Sequence, residues 1–389
     1  MNILFVWCGA VGSVMIETLQ ALGQSEQFPL SITILARSDK FKSELNKDIA
    51  YKEIIMDNVL DFFTQESDLS LDRVINTALP QFNETIMQRA LWAKVNYMDL
   101  ASDIDETHVK NKSFPQSALA EKFQENNLCA LLNCGISPWI TEFCISYITR
   151  TYSIDPDTIT LYLDENFNSL VPLFSRSPSV AITELLTPAV YIENKQYHTA
   201  QPFDNVTVCS SNKKRMHYIR ITQEELISIQ LMYPNMRSLS ILAWWSEIEQ
   251  GRLLYNLGLL TDPEIKSKLL KKLPGAASKE DISHAFDNNL IDDAWFCFSM
   301  EIKDTQQSKH IQVSFWFDDF KIIQKGRYKG STSISYPTGL SAAWILFLWQ
   351  SHKISGVHDC LSFSHELPLS ALEDTRTFLK NNHITMTHT

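Results

Sequence analysis

Cys8-Gly9-Ala10-Val11-Gly12 places two glycines three residues apart, between a run of strand formers and the start of helical periodicity. Asn2 to Trp7 supplies the strand, and Val14, Ile16, Leu19 and Leu22 mark one face of the helix, with Gly23 as its expected stop. A strand, a glycine turn and a helix N-terminus together present free backbone N–H groups to a phosphate. In a dinucleotide site Gly9 admits close approach of the pyrophosphate through the Gly9, Ala10, Val11 and Gly12 backbone, and Gly12 lets helix and strand pack tightly. Trp7 stands where the G-x-G-x-x-G fingerprint begins. A strand–turn–helix of an α/β protein that binds no nucleotide is the alternative reading.

A second apolar run, Ser31 to Ala36, ends in Arg37-Ser38-Asp39. In a dinucleotide fold an acidic residue at this strand end bonds the ribose 2′-hydroxyl. Arg37 and Ser38 offer a cation and a hydroxyl instead, which suits a 2′-phosphate and hence NADP(H). Asp39 is a counter-signal, and Ser38 also reads as the N-cap of a solvated helix before Phe41 and Leu45.

Further candidates sit where other strands end. Thr77, Ala78, Leu79 and Pro80 follow one apolar run and should line the nicotinamide-ribose side mainly through backbone. Asp99 ends another run, where it orients a substrate amine, relays a proton, or caps the next turn. Cys134 precedes Gly135 beside the expected nicotinamide position, as a reactive group or as a small buried thiol. Lys213, Lys214, Arg215 and His217 read as a solvated basic face, and Glu142 and Glu184 as carboxylates on apolar helices.

The elements that must position these residues alternate. Strands are expected at Lys52–Met56, Arg73–Pro80 (ending in a Pro-containing loop), Asn96–Leu100 and Cys129–Asn133, with helices at Val59–Thr64, Asn83–Ala93 and Phe114–Glu125. Continuously apolar strands alternating with helices imply a Rossmann-type, doubly wound parallel sheet, whose ligands bind beyond the strand carboxyl ends. From about residue 150 the pattern becomes aromatic and mostly antiparallel. Strands are expected at Thr158–Asp164, Ala189–Ile192, His217–Ile221, Leu239–Trp244, Ala294–Lys303 and His310–Phe317, and helices at Gln223–Met232, Glu247–Leu257 and Pro263–Leu273. This second domain is α+β. Gly339 to Gln350 is apolar on nearly every face, so it should pack back on residues 1–140.

Composition narrows the function classes. With 389 residues the chain has room for two domains, and a net charge of −11 opposes non-specific nucleic-acid binding. Seven cysteines without C-x-x-C pairs suggest neither a zinc site nor a disulfide framework, and fit a reducing cytoplasm. No apolar stretch approaches the ~20 residues of a membrane span.

Four stretches in order resemble the saccharopine dehydrogenase superfamily, most closely its carboxynorspermidine and carboxyspermidine dehydrogenases. They are Gly9–Gly12, then Val74–Pro80 with Val95–Asp99, then Ala130–Pro138, then Ser335–Gly339 with Ile354–Val357. The resemblance implies an NADP-binding domain (1–138 plus 336–389) and a catalytic and dimerisation domain (139–335), assembled as a homodimer. It implies NADPH-dependent reduction of an imine formed from a small-molecule carbonyl and an amine, with no nucleic-acid or membrane partner. Phe174–Pro178 is similar to a substrate-contacting segment, which makes Arg176 the candidate for a substrate carboxylate. The family carries glycine where Trp7 and Trp139 stand. An indole at 139, beside a helix expected to begin at Pro138, would fill part of the substrate space, stack on a ligand, or fill core away from the cleft; one at 7 would either crowd the pyrophosphate turn or be structural. Two other readings are aminobutyl transfer with bound NAD, as in homospermidine synthases, and a non-catalytic nucleotide-binding member.

Overall fold

The computed structural model describes residues 1–45, 47–56, 62, 70–209, 215–246, 248–272, 277–352 and 356–389. In chain order the strands begin with β1 (Asn2–Val6), β2 (Ser31–Ala36), β3 (Lys52–Ile55), β4 (Arg73–Asn76), β5 (Asn96–Asp99) and β6 (Cys129–Leu132). There follow β7 (Thr158–Ser169), β8 (Ala189–Glu193), β9 (Gln196–Ala200), β10 (Asn205–Cys209), β11 (Arg215–Arg220) and β12 (Ser238–Trp245). The last are β13 (Ile291–Asp304), β14 (Lys309–Phe317), β15 (Gly356–Asp359) and β16 (Thr385–His388).

Ile3, Leu4, Phe5 and Val6 are all buried, as are Val74 and Ile75 of β4. Side chains pointing both ways along a strand are buried only when both faces of the sheet are covered. The first sheet therefore runs parallel, in the order β15-β6-β5-β4-β1-β2-β3. The chain winds outward through β2 and β3, then returns to the other side of β1 at β4. That reversal opens a crevice beyond the carboxyl ends of β1 and β4.

One face of this sheet is covered by the helix Ala10–Ser25, which buries Val14, Met15, Ile16 and Leu19. Gly23 lies inside this helix rather than ending it, because the chain continues helical until Glu26 N–H bonds Leu22 O. On the other face, Ile86, Met87 and Ala90 of the helix Asn83–Trp92 pack with Phe123 against Leu4, Val74 and Tyr97.

Two expected elements are corrected. The strand at Arg73–Pro80 stops at Asn76, whose side chain accepts from Ala78 N–H and donates to Asn83 at 2.8 Å, turning the chain. The single helix over Phe114–Glu125 is divided into a 3₁₀ turn, Pro115–Leu119, and a helix, Ala120–Glu125. The helix expected over 59–64 falls outside the described residues except at Phe62.

The second sheet has the order β10-β11-β12-β7-β13-β14-β16, with β8 paired to β12 and β9 to β8. Its pairings are antiparallel apart from β12 with β7. Alternation along β7 buries Ile159, Leu161, Leu163 and Phe167 on one side. A single apolar cluster runs from that side through the helices Ile140–Tyr152 and Ser335–His352 to the face of the first sheet.

The helix Ser335–His352 lies on the helix Ala10–Ser25, in the place its apolar surface demands. A Cβ on Gly339 would stand 2.6 Å from Val11 O and from Val14 Cβ, so the two backbones touch. After it the chain serves both sheets: β15 extends the first beside β6, and β16 pairs with β14 in the second.

Candidate active site

The crevice at β1 and β4 has the features an anion needs. Gly9 is the N-cap of the first helix; no side chain caps that end and no acidic residue lies in its first turn. A Cβ placed on Gly9 would meet nothing within 4 Å, which leaves the backbone open to a ligand, whereas one on Gly12 would stand 3.0 Å from Thr77 Oγ1. Gly9 is thus the bare approach and Gly12 the tight packing point between the β1 and β4 turns. Open N–H groups and the helix dipole fit a pyrophosphate. Arg37 and Ser38 are exposed at the end of β2; Ser38 precedes a 3₁₀ turn, Asp39–Glu44, without capping it through its side chain.

Trp7 belongs to the same turn. Its N–H bonds Leu35 O at 2.8 Å, its carbonyl accepts the Thr77 hydroxyl at 2.7 Å, and its φ is 72°. The indole is 37% exposed and lies beneath the Arg37 guanidinium, 5.4 Å from the ring centre.

At the ends of β5 and β6 the structure places Asp99 and Cys134 inside the fold. Asp99 is 0% exposed. It accepts from Asn133 N–H at 2.7 Å and Gln116 Nε2 at 2.9 Å, and burial, opposed by these bonds, pushes it up to about 7. Cys134 is equally buried, its N–H bonded to Asp99 O, and neither group reaches solvent. Both organise the β5 and β6 turns. Trp139 is also 0% exposed: as N-cap of the helix Ile140–Tyr152, with φ 119°, it carries its ring inward, 6.2 Å from Phe143. The indole fills core instead of lining substrate space.

The residues that hold these turns carry no signal of spacing in the sequence. Ser102, buried after β5, bonds Gln116, and its N–H donates to Glu224 Oε1 at 2.6 Å. The next residue, Glu225, accepts from Ser137 and Thr141, each at 2.6 Å. Adjacent carboxylates on one short helix, Glu225–Met232 with its N-cap Glu224, thus grip the loops after β5 and β6. Burial raises both, Glu224 to about 8. Glu142, fully buried, accepts from Ser228 on the same short helix.

Arg176 already has carboxylate partners. Its Nη1 lies 2.8 Å from Glu184 and its Nε 3.8 Å from Glu165, with the guanidinium 4.5 Å over the Trp245 ring. Ser175 bonds Glu165 through its hydroxyl, and its carbonyl accepts the Thr332 hydroxyl at 3.0 Å at the foot of the helix Ser335–His352. Glu184 also accepts from Gln223, the residue before Glu224, so this charged group stands close to the carboxylates that grip the β5 and β6 turns. A groove of about 720 Å³ borders Pro80, Asn83, Glu84, Asp103, His108 and Gln116 beyond β4 and β5. Lys213 and Lys214 fall outside the described residues, and His217 is exposed.

Fold and turn define a dinucleotide-binding α/β protein with a second, mostly antiparallel sheet. Residues 3–131 match the saccharopine dehydrogenase NADP binding domain. The chain is 24% identical to carboxyaminopropylagmatine dehydrogenase of Synechocystis sp. over 88% of its own length and 87% of that protein. It is 24% identical to carboxynorspermidine synthase of Vibrio cholerae over 49% of its length and 50% of that protein. Among solved structures, the fold is that of apo saccharopine dehydrogenase from Saccharomyces cerevisiae (TM-score 0.66, 13% identity, covering 100% of this chain and 99% of the other). It is also that of homospermidine synthase from Legionella pneumophila in complex with NAD (TM-score 0.70, 13% identity, 100% and 91%).

Proposed function

We propose that the protein is an NADPH-dependent oxidoreductase that reduces an imine, formed from a small carbonyl compound and an amine, to a secondary amine. The observation that carries this reading is the bare Gly9–Gly12 turn at the β1/β4 reversal, within a segment matching an NADP-binding domain. NADPH would supply a hydride. The chain's residues supply the rest: Gly9 to Gly12 hold the pyrophosphate, Thr77 to Pro80 border the ribose, and Arg37 and Ser38 meet the 2′-phosphate. The relatives that act on carboxylated polyamines support a substrate of that chemistry. So does the Arg176, Glu165 and Glu184 group beside Trp245, which offers both signs of charge to a molecule carrying an amine and a carboxylate.

The protein acts as a homodimer in this reading. Tyr162, Trp244, Trp295 and Trp316 share the face of the second sheet opposite its core, with Trp244 and Trp295 stacked at 6.0 Å. The test is direct. NADPH and NADH are titrated by nicotinamide fluorescence, and NADPH oxidation is then followed with pairs of amino aldehydes and amines. Absence of NADPH binding refutes the reading; binding without turnover on any pair favours a non-catalytic nucleotide-binding protein.

A further inference from the structure

Trp7 is a large, partly exposed ring at a backbone position with φ 72°, where a side chain is strained and glycine is at ease. The strain is imposed from both sides. The Trp7 N–H is tied to Leu35 O at the end of β2, and its carbonyl is tied to the Thr77 hydroxyl beyond β4. So held, the residue brings its indole to Arg37 at the end of β2, whose guanidinium lies 5.4 Å from the ring centre. Among the described residues no carboxylate pairs with Arg37; the neighbouring Asp39 faces Lys42 instead, at 3.9 Å. An arginine on a four-bond stem at an exposed strand end would otherwise sample many rotamers. The indole face restricts it while leaving its N–H groups for an anion, since a cation–π contact engages the flat face of the guanidinium.

We propose that Trp7 is the positioning residue for cofactor choice: its ring holds Arg37 at the end of β2, where that guanidinium reads the 2′-phosphate of NADP(H). The inference rests on the NADPH reading above and deepens it. It gives the indole a role other than crowding the pyrophosphate turn, because the ring meets Arg37. Trp7 touches the cofactor's recognition through Arg37 and takes no part in hydride transfer.

The test is the ratio of NADH to NADPH dissociation constants, read by nicotinamide fluorescence on the whole chain. A ratio cancels any change that Trp7→Gly makes in the common pyrophosphate turn. Trp7→Gly should lower the preference for NADPH by about two- to five-fold, the size of an exposed cation–π contact. Trp7→Phe, which keeps a ring face, should retain most of it. In an Arg37→Ala background Trp7→Gly should leave the ratio unchanged. Thermal unfolding gives an independent reading: Trp7→Gly should unfold at an equal or higher temperature than the unmodified protein, since the strained φ is relieved. A preference that survives Trp7→Gly, or one that falls equally with and without Arg37, overturns this inference alone. An unmodified protein with no preference for NADPH overturns it together with the cofactor reading.

Discussion

The backbone N–H of Ser102 donates to Glu224 Oε1 at 2.6 Å, joining the loop after β5 to a helix of the second domain. Burial, then the neighbouring Glu225, raise Glu224 from 4.5 to about 8. A carboxyl whose folded value is raised holds its proton longer in the folded state than in the unfolded one. Its contribution is therefore present in full below about pH 4.5 and is lost as pH rises through about 8. Stability should fall between about pH 4.5 and 8, by at most about 1.4 kcal/mol per pH unit for this one group. Glu224→Gln should flatten that fall. Urea midpoints measured across the range decide it, and parallel slopes for the two proteins would count against the assignment.

Asp99 has a comparable role within the first domain. Removing its carboxylate in Asp99→Ala leaves the buried Asn133 N–H and one N–H of the Gln116 amide, whose nitrogen also bonds Ser102, without an acceptor. Each unsatisfied group costs about 1–3 kcal/mol, so the variant should unfold several degrees lower. Asp99→Asn keeps one acceptor and should lose less. If Asp99 instead took part in proton transfer, Asp99→Asn would abolish turnover while keeping its melting temperature, and kcat measured beside thermal unfolding separates these outcomes.

How much of this was readable beforehand follows from the range of the interactions. The β1 turn was legible because a pyrophosphate turn needs glycine at local positions, and Gly9 and Gly12 are three residues apart. The burial of the helix Ser335–His352 was legible because its apolar residues leave no polar face. Asp99 and Cys134 stand at strand ends and Trp139 starts the following helix, but the sequence leaves open whether each faces the cleft or the interior. A strand end can face the crevice or the interior, and that choice is made by Glu224, Glu225 and Gln116 from distant parts of the chain. The carboxylates and ring around Arg176 were not legible for the same reason: Glu165, which flanks it, precedes it by eleven positions, and the Trp245 beneath it lies on another strand.

The outer face of the second sheet gives a prediction about assembly. Trp316 is exposed, and it shares its face with Trp244 and Trp295 through the register Trp244–Asp164–Cys297–Trp316. A charge there would be buried without a partner in a dimer formed through this face. Trp316→Glu should therefore shift the protein toward a monomer in light scattering at micromolar concentration, with its circular dichroism unchanged. An unaltered mass would place any dimer contact elsewhere.

Gly339 links the core to the cofactor turn and gives the sharpest mutational expectation. Its Cα hydrogen faces Val11 O and Val14, and a methyl group there would stand 2.6 Å from both the carbonyl and Val14 Cβ. Neither neighbour can yield by rotating a side chain: one is backbone in the first turn of the helix Ala10–Ser25, and the other is a Cβ fixed to it. The two helices must separate by roughly an ångström, close to the shift that overpacking forces in dense cores. Gly339→Ala should then cost about 1–3 kcal/mol of stability. The displaced backbone is that of Val11, two residues from Gly9, so the turn that holds the pyrophosphate moves with it. Affinity for NADPH and NADH should fall by the same factor, leaving their ratio intact, in contrast to changes at Trp7 and Arg37. A Gly339→Ala protein of unchanged stability and unchanged affinity for both nucleotides would mean that the two helices are not in this close contact.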